Sequence, residues 1–375
     1  MGKRVKQAPS KQRSKKKQGG SKALKVIMIL LLLLLILLIA AYGYFRSKLG
    51  LLQRDNGDTQ IVGEGEIDVD ALLEEELSEA EAEAEAERLA REAAAMDDAM
   101  AGLEEKEIVE ATGEMIVDDN VYNIMLFGTD ERKTAFSDRA RGDSCMLLSI
   151  NTNGETPTIS LVSFERAIGV PILEGQYKGQ YDWLTHTFNY GGAELQMAEV
   201  RECFNVNVDY YVRVNFATFI QGIDAIGGVD IELTSAEAKA IGARTGMNHL
   251  NGELALSYAR LRKIDSDWKR IQRQRTVIQA ALNQVKNLSL TELDNLLNTV
   301  LPLVQTNLPD EEILKLMMLA PSLQGATAQQ LTIPESGTYG VMTGMGGRSL
   351  YAVDFDANAK LLNEFLYGVS DSATE

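Results

Sequence analysis

Twenty consecutive residues without a charge, 26–45, include the run from Leu30 to Leu38 and divide this 375-residue chain into two unequal parts. A helix of that length crosses a hydrocarbon core of about 30 Å. Residues 1–25 carry ten Lys or Arg and no acid. A basic flank of this kind stays in the cytoplasm, which predicts a single-pass plasma-membrane protein with everything beyond residue 45 outside. Ala41-Tyr42-Gly43 also offers small residues at a spacing that signal peptidase accepts. Signal-peptide apolar regions run about 7 to 15 residues, so a retained anchor is the preferred reading. Topology and attraction to anionic lipid account for the basic tail, and it lacks a helix-turn-helix pattern. No nucleic acid is expected as a partner.

Residues 46–63 read as a linker with a turn at Asn56-Gly57, and residues 64–119 hold twenty-two acids against three bases. That block alone balances to −19, more than the −17 of the whole chain. Residues 70–111 are rich in helix formers, yet the EAEAEAE alternation leaves no sustained apolar seam for a coiled coil. The expectation is a like-charged helical spacer, with partial disorder equally compatible. The globular domain is expected from 120 to 369, with 370–375 as a flexible end.

Within that domain VYNIMLFGTD reads as a buried strand delivering Asp130 at its C-terminal end. CMLLSI and TISLVSF read as two more strands joined by a hairpin-type turn at 151–155. Helix at 193–204, strand at 208–214, helix at 216–226 and strand at 227–233 then alternate. Such alternation implies an α/β sheet covered by helices. Helices are expected at 270–288, 291–304 and 310–319, followed by short strands and one final helix within 331–367. Ile271, Ile278, Leu282 and Val285 share a face that should pack on the sheet, with Gln274 at its edge and Arg270 just beyond. Arg273 projects further toward solvent on the same wheel.

Cys145 lies in an apolar run and Cys203 near a helix end, so two buried free thiols are expected rather than a disulfide. With only His186 and His249 and no paired-cysteine spacing, a zinc site or a histidine-based triad is not expected. His186 reads as a structural hydrogen-bonding residue. The tripeptide Arg141-Gly142-Asp143 is too common a string to indicate adhesion.

The stretch SYARLRKIDSDWKRIQRQ, 257–274, sets Arg260 and Arg262 two apart, on one side if the backbone is extended, and Arg270 and Gln274 at helical i, i+4. Guanidinium groups make bidentate hydrogen bonds to phosphate oxygens, so the pattern suits a diphosphate, although a solvated charge run has the same look.

Taken in order, NIMLFGTDER, RGDSCMLLSI, SFERAIGV, HTFNYGG, DYYVRVNFATF, DAIGGVDIEL, LNGELALSYARLR and DSDWKRIQRQ resemble the LytR-CpsA-Psr family of membrane-anchored cell-wall enzymes. The resemblance covers 121 to about 368. It implies a three-layer α/β/α domain with a central mixed sheet that transfers a glycopolymer from a polyprenyl-pyrophosphate carrier, through a phosphate, to peptidoglycan. Asp130 and Asp143 match the family's acidic positions at the metal and catalytic centre. Arg166, Arg260, Arg262, Arg270 and Gln274 match its pyrophosphate-binding positions, with Arg260 and Arg262 also expected in catalysis. Mg²⁺, or Mn²⁺, is the implied cofactor, since paired carboxylates suit a hard cation bound alongside phosphate oxygens.

One departure stands out. Where the family usually reads Pro-Arg-Asp, this chain reads Glu165-Arg166-Ala167. The missing carboxylate opens a further reading, a carrier-binding scaffold without transfer, and a separate alternative is a polyprenyl-pyrophosphate phosphatase in which water replaces the acceptor. Glu165 alternates to the opposite side of a strand and is not expected to substitute. The polymer transferred, whether teichoic acid, capsule or another wall glycan, is set by loop shapes that a sequence does not reveal.

Overall fold

The computed structural model describes residues 43–44, 46–55, 90–91, 93–129, 131, 136, 140–142, 144–261, 267–285, 289–319 and 322–368. The chain forms two compact units, Met1–Gly50 and Leu51–Glu375. Of the first, residues 43–44 and 46–49 are helical and Gly50 is in a turn, with Ser47 Oγ donating to Tyr44 O at 2.7 Å. The expected span 26–45 lies outside the described residues except for Gly43 and Tyr44. Among those described, no helix is long and apolar enough to cross a membrane.

The second unit is built on a seven-stranded mixed sheet. Its strands are β1 (Gln53–Arg54), β2 (Val121–Thr129), β3 (Ser144–Asn151), β4 (Thr158–Phe164), β7 (Tyr210–Asn215), β10 (Gln305–Thr306) and β11 (Thr327–Ile333), in the order β1-β10-β7-β2-β3-β4-β11. The central β2 runs parallel to β7 and antiparallel to β3. Near-continuous apolar runs such as VYNIMLFGT suit a strand covered on both faces. Met125, Phe127, Cys145, Leu147, Val162 and Phe164 point to one face and join a core with helices α1 (Leu184–Phe204) and α8 (Phe355–Tyr367). Residues of opposite parity face the other layer. There Ser144 and Ser163 meet helix α5 (Asp267–Val285) through Gln274 and Arg275. The three expected layers are therefore present.

A second, smaller core gathers helices α2 (Phe216–Ala225), α3 (Ser235–Ile241), α4 (Gly252–Ala259) and α6 (Leu290–Val300) around a hairpin of β8 (Val229–Leu233) and β9 (Gly246–Leu250). Strand β8 thus belongs to this hairpin, where the sequence suggested the main sheet. Val277 on α5 packs into this second core beside β8, so α5 divides its contacts between that core and the sheet. Helix α7 (Asp310–Leu319) lies where the sequence places it. Cys145 and Cys203 are both buried and free.

The packed body begins well before residue 120. Met96 and Met100 are buried in the main core. The chain that follows is strapped to the domain, with Val341 N donating to Glu104 O at 2.9 Å and Phe355 N to Val109 O at 2.8 Å. Residues 56–89 and 369–375, including the first part of the expected spacer and the C-terminal end, lie outside the described residues. Part of the expected linker is also structural, since β1 adds a parallel edge strand on β10.

Candidate active site

Strands β2 and β7 are parallel and end together, with Gly128 level with Val214 and with Ser144 at the start of β3. In open α/β sheets this carboxyl edge is where ligands bind. Asp130, Asp143 and Arg262 lie outside the described residues. The described neighbours of the two aspartates, Thr129, Glu131, Gly142 and Ser144, are all tied down at this edge.

Gly142 N donates to Thr185 O at 3.2 Å. A Cβ at Gly142 would lie 2.8 Å from Gln196 Oε1 and 3.3 Å from the Phe188 ring, so glycine is what permits helix α1 to approach this loop. Thr185 N and Oγ1 donate to Arg166 O at 3.4 and 3.3 Å. On the other side, Ser144 Oγ donates to Gln274 Oε1 at 3.4 Å, which brings α5, and with it Arg270 one turn earlier, to the same edge. The third element arrives through Phe216, whose N donates to Glu131 O at 3.2 Å and whose ring lies 4.1 Å under the Arg260 guanidinium. Arg166, Arg260, Arg270 and Gln274 are therefore brought to the carboxyl edge of the sheet by three separate segments.

Arg166 is 3% exposed, and its guanidinium stacks 4.7 Å from the Trp183 ring centroid. Trp183 ends strand β6 (Tyr181–Trp183), which pairs with β5 (Gly169–Pro171), and is fixed by Nε1 donating to Ser349 O at 2.8 Å. Glu165 is fully buried beyond the end of β4, and its carboxylate accepts from Arg166 N at 2.6 Å. It folds back on its own chain, so strand alternation does not describe it. Ala167 is also fully buried, with its carbonyl accepting from Tyr351 N at 2.9 Å.

Two expectations from the 257–274 stretch are corrected. Arg260 caps α4 at φ −99°, ψ 0°, so the backbone there is not extended and Arg260 is aimed by the helix end and Phe216. Arg273 is 3% exposed, because its Nη2 donates to Leu261 O at 2.8 Å and its Nη1 lies 3.4 Å from Glu237. The second core covers the side of α5 that a lone helical wheel leaves to solvent.

Sequence reasoning passed over Arg213, Trp183 and Thr185. Arg213 is 3% exposed, lies between the rings of Phe136 and Phe188 at 4.9 and 4.8 Å, donates to Thr129 Oγ1 and Gln305 Oε1, and pairs with Glu131. It latches the segment after β2 to β7. A signal was available, since Arg213 occupies an inward position between Tyr211 and Asn215. An arginine there needs partners or an anion.

On the second face of the sheet Ile124, Met146 and Ile150 are buried, while other apolar residues beside them stay half-buried. Val212 is level with Leu126, and Leu148 with Ile124 and Leu161. Leu126, Leu148, Leu161, Val212 and Val214 are all of intermediate exposure. Among the described residues no group of three or more His, Cys, Asp or Glu is arranged to hold a metal ion. Of the described carboxylates at this edge, Glu131 pairs with Arg213 and Glu165 accepts from Arg166 N. Oxygen donors for a hard cation would come from Asp130 and Asp143.

A sequence model described as the LytR_cpsA_psr family matches residues 86–365. The polyisoprenyl-teichoic acid–peptidoglycan teichoic acid transferase TagU of Oceanobacillus iheyensis is 34% identical over 210 residues, 53% of this chain and 62% of its own length. The protein of the same name from Bacillus anthracis is 32% identical over 206 residues, 54% of this chain and 65% of its own. The chain thus spans slightly under two thirds of these relatives. Among solved structures, TagT bound to LI-WTA superposes with a TM-score of 0.52 at 25% identity, over 70% of this chain and all of the other. The LytR-CPS2A-psr family protein YwtF (TagT) with bound octaprenyl pyrophosphate lipid gives a TM-score of 0.50 at 23% identity, over 70% of this chain and all of the other, a likeness of fold. The family match takes in the whole carboxyl edge of the sheet and the strap that leads to it, and the chain belongs to the LytR-CpsA-Psr family.

Proposed function

We propose that this chain is a plasma-membrane-anchored, Mg²⁺-dependent phosphotransferase, its domain outside the cell, that moves a glycopolymer from a polyprenyl-pyrophosphate carrier onto peptidoglycan. The observation that carries the reading is the convergence of Arg166, Arg260, Arg270 and Gln274 beside a half-buried apolar sheet face. A diphosphate needs the first and a polyprenyl tail the second. Arg166 and Arg270 are nearly buried, where guanidinium groups act on phosphate with little screening by water. Arg260 is more exposed and stands nearer solvent. Arg262 completes the set in this reading. Gln274, held by Ser144, supplies a neutral hydrogen bond and fixes α5 against the loop of Asp143.

Asp130 and Asp143 would hold the divalent cation. When bound, it neutralises charge on the transferred phosphoryl group and orients its oxygens. The protein's own part is to hold the diphosphate in line with the acceptor hydroxyl. The curated relatives are named as teichoic acid transferases, and the likeness of fold extends to a protein solved with octaprenyl pyrophosphate.

The reading is tested with the full-length chain in detergent, a polyprenyl-pyrophosphate oligosaccharide, a peptidoglycan oligomer and Mg²⁺, with products read by mass spectrometry. A glycan-phosphate adduct on the acceptor is expected, lost with EDTA and reduced by about 10²-fold or more in Arg270→Ala. The buried Ala167 favours a second reading, a carrier-binding scaffold. Carrier bound without adduct would select it, and inorganic phosphate released without acceptor would indicate a phosphatase.

A further inference from the structure

The first turn of α1 is the junction of the site. Thr185 ties the loop of Gly142 to the backbone of Arg166, and the next residue is His186. His186 Nδ1 lies 3.3 Å from Asp182 Oδ1. Asp182 is fully buried and also accepts from Trp183 N at 2.8 Å, Tyr190 OH at 2.6 Å and Arg348 Nη1 at 3.2 Å. The imidazole packs 4.6 Å from the Trp183 ring, the same indole that carries the Arg166 guanidinium. Its side chain is 16% exposed, and among the described residues Nε2 has no hydrogen-bond partner.

Nearby carboxylates have other duties. Glu131 pairs with Arg213, Glu165 accepts from Arg166 N, and position 167 is alanine. We infer that His186 is the general base of the transfer reaction, taking the proton of the acceptor hydroxyl on Nε2 while Asp182 fixes the tautomer through Nδ1. The inference rests on the phosphotransferase reading above and adds the residue that activates the acceptor.

The chemistry balances without another reactant. The acceptor hydroxyl oxygen forms a bond to the phosphorus next to the glycan, and the bond from that phosphorus to the bridging oxygen breaks. Polyprenyl phosphate leaves with the electron pair. The hydroxyl proton passes to Nε2 and then to water. Three charged groups act on the imidazole, namely Asp182, Arg348 and Arg166, and Tyr190 faces it across Asp182. Burial, together with the two guanidinium groups, outweighs Asp182 and holds the pKa of His186 below the ordinary 6.5. The ring is therefore neutral at neutral pH, as a base must be.

The test uses the full-length chain with the donor, acceptor and Mg²⁺ described above, followed from about pH 5 to about pH 9, on both sides of the ordinary histidine pKa. His186→Gln should lower kcat by about 10²- to 10⁴-fold, leave the donor KM unchanged, and remove the fall in rate on the acid side. His186→Ala should recover rate when imidazole is added, which a structural role would not produce. Wild-type kcat in His186→Gln with the acid limb intact would overturn the inference, as would a kcat loss that imidazole does not rescue in His186→Ala. Failure of the phosphotransferase reading looks different, because the unmutated chain would then form no adduct, and this inference would fall with it.

Discussion

At the scale of single residues, hydrogen-bond chemistry favours the charged form of His249. Its Nδ1 lies 2.8 Å from Asp230 Oδ1 and its Nε2 lies 2.7 Å from Gly227 O. Both partners only accept, so this pair of contacts favours the imidazolium, in which both ring nitrogens donate. The hydrogen bond to Asp230 is the larger cause, and that to Gly227 O the next, of a pKa raised above the ordinary 6.5. A raised folded pKa stabilises fully below pH 6.5 and loses its contribution as pH climbs through the folded value. The group is exposed, so the effect on global stability is small. An NMR titration of His249 should give a midpoint above 6.5, and Asp230→Asn should bring it down. A midpoint that ignores the Asp230 substitution would show that the bridge does not form in solution. The residues expected to bind phosphate were picked out by type and spacing together with the family resemblance, because on spacing alone a solvated charge run has the same look. Their aim was not legible, since Phe216 and Trp183, which carry Arg260 and Arg166, are brought in from other parts of the chain.

Among the elements, β2, β3 and β4 could be read directly, because strands covered on both faces have continuous apolar runs. Strands β1 and β10 could not, since two residues have no pattern and their pairing is purely tertiary. Helix α1 begins nine residues before the expected position 193, at Leu184. Its first turns carry His186, Asn189 and the pair Gly191-Gly192, which look like a loop in sequence. The pair is instead a kink, with Gly191 at φ −159°, ψ 22° and Gly192 at φ 63°, ψ −154°. The Gly192 conformation is one that only glycine holds without strain. Gly192→Ala should cost about 1–3 kcal/mol, read as a lower urea midpoint at unchanged slope. An unchanged midpoint would mean that the kink relaxes at no cost. The kink also sets the direction of the turn that holds Thr185 and His186, so transfer should fall along with stability.

Across the whole molecule, the two features that the proposed amphipathic carrier would need lie on different parts of one sheet. Its carboxyl edge gathers the arginines, while its second face keeps Leu126, Leu148, Leu161, Val212 and Val214 half-buried. That face is partly closed by the buried Ile124 and Met146, and filling the rest would add about 0.8 kcal/mol for each further CH₂ buried. If a prenyl tail occupies the face, affinity should depend on tail length in the unmutated chain, with longer prenyl pyrophosphates binding more tightly than geranyl pyrophosphate. Leu148 is level with both Ile124 and Leu161, at the middle of the row. Leu148→Gln should therefore remove most of the gain from length and leave geranyl pyrophosphate nearly unaffected, since the proposed diphosphate site is at the sheet edge. Calorimetric titration of the full-length chain with prenyl pyrophosphates of increasing length separates the two contributions. Equal affinities for short and long tails in the unmutated chain would place the tail elsewhere, even with diphosphate recognition by the arginines intact.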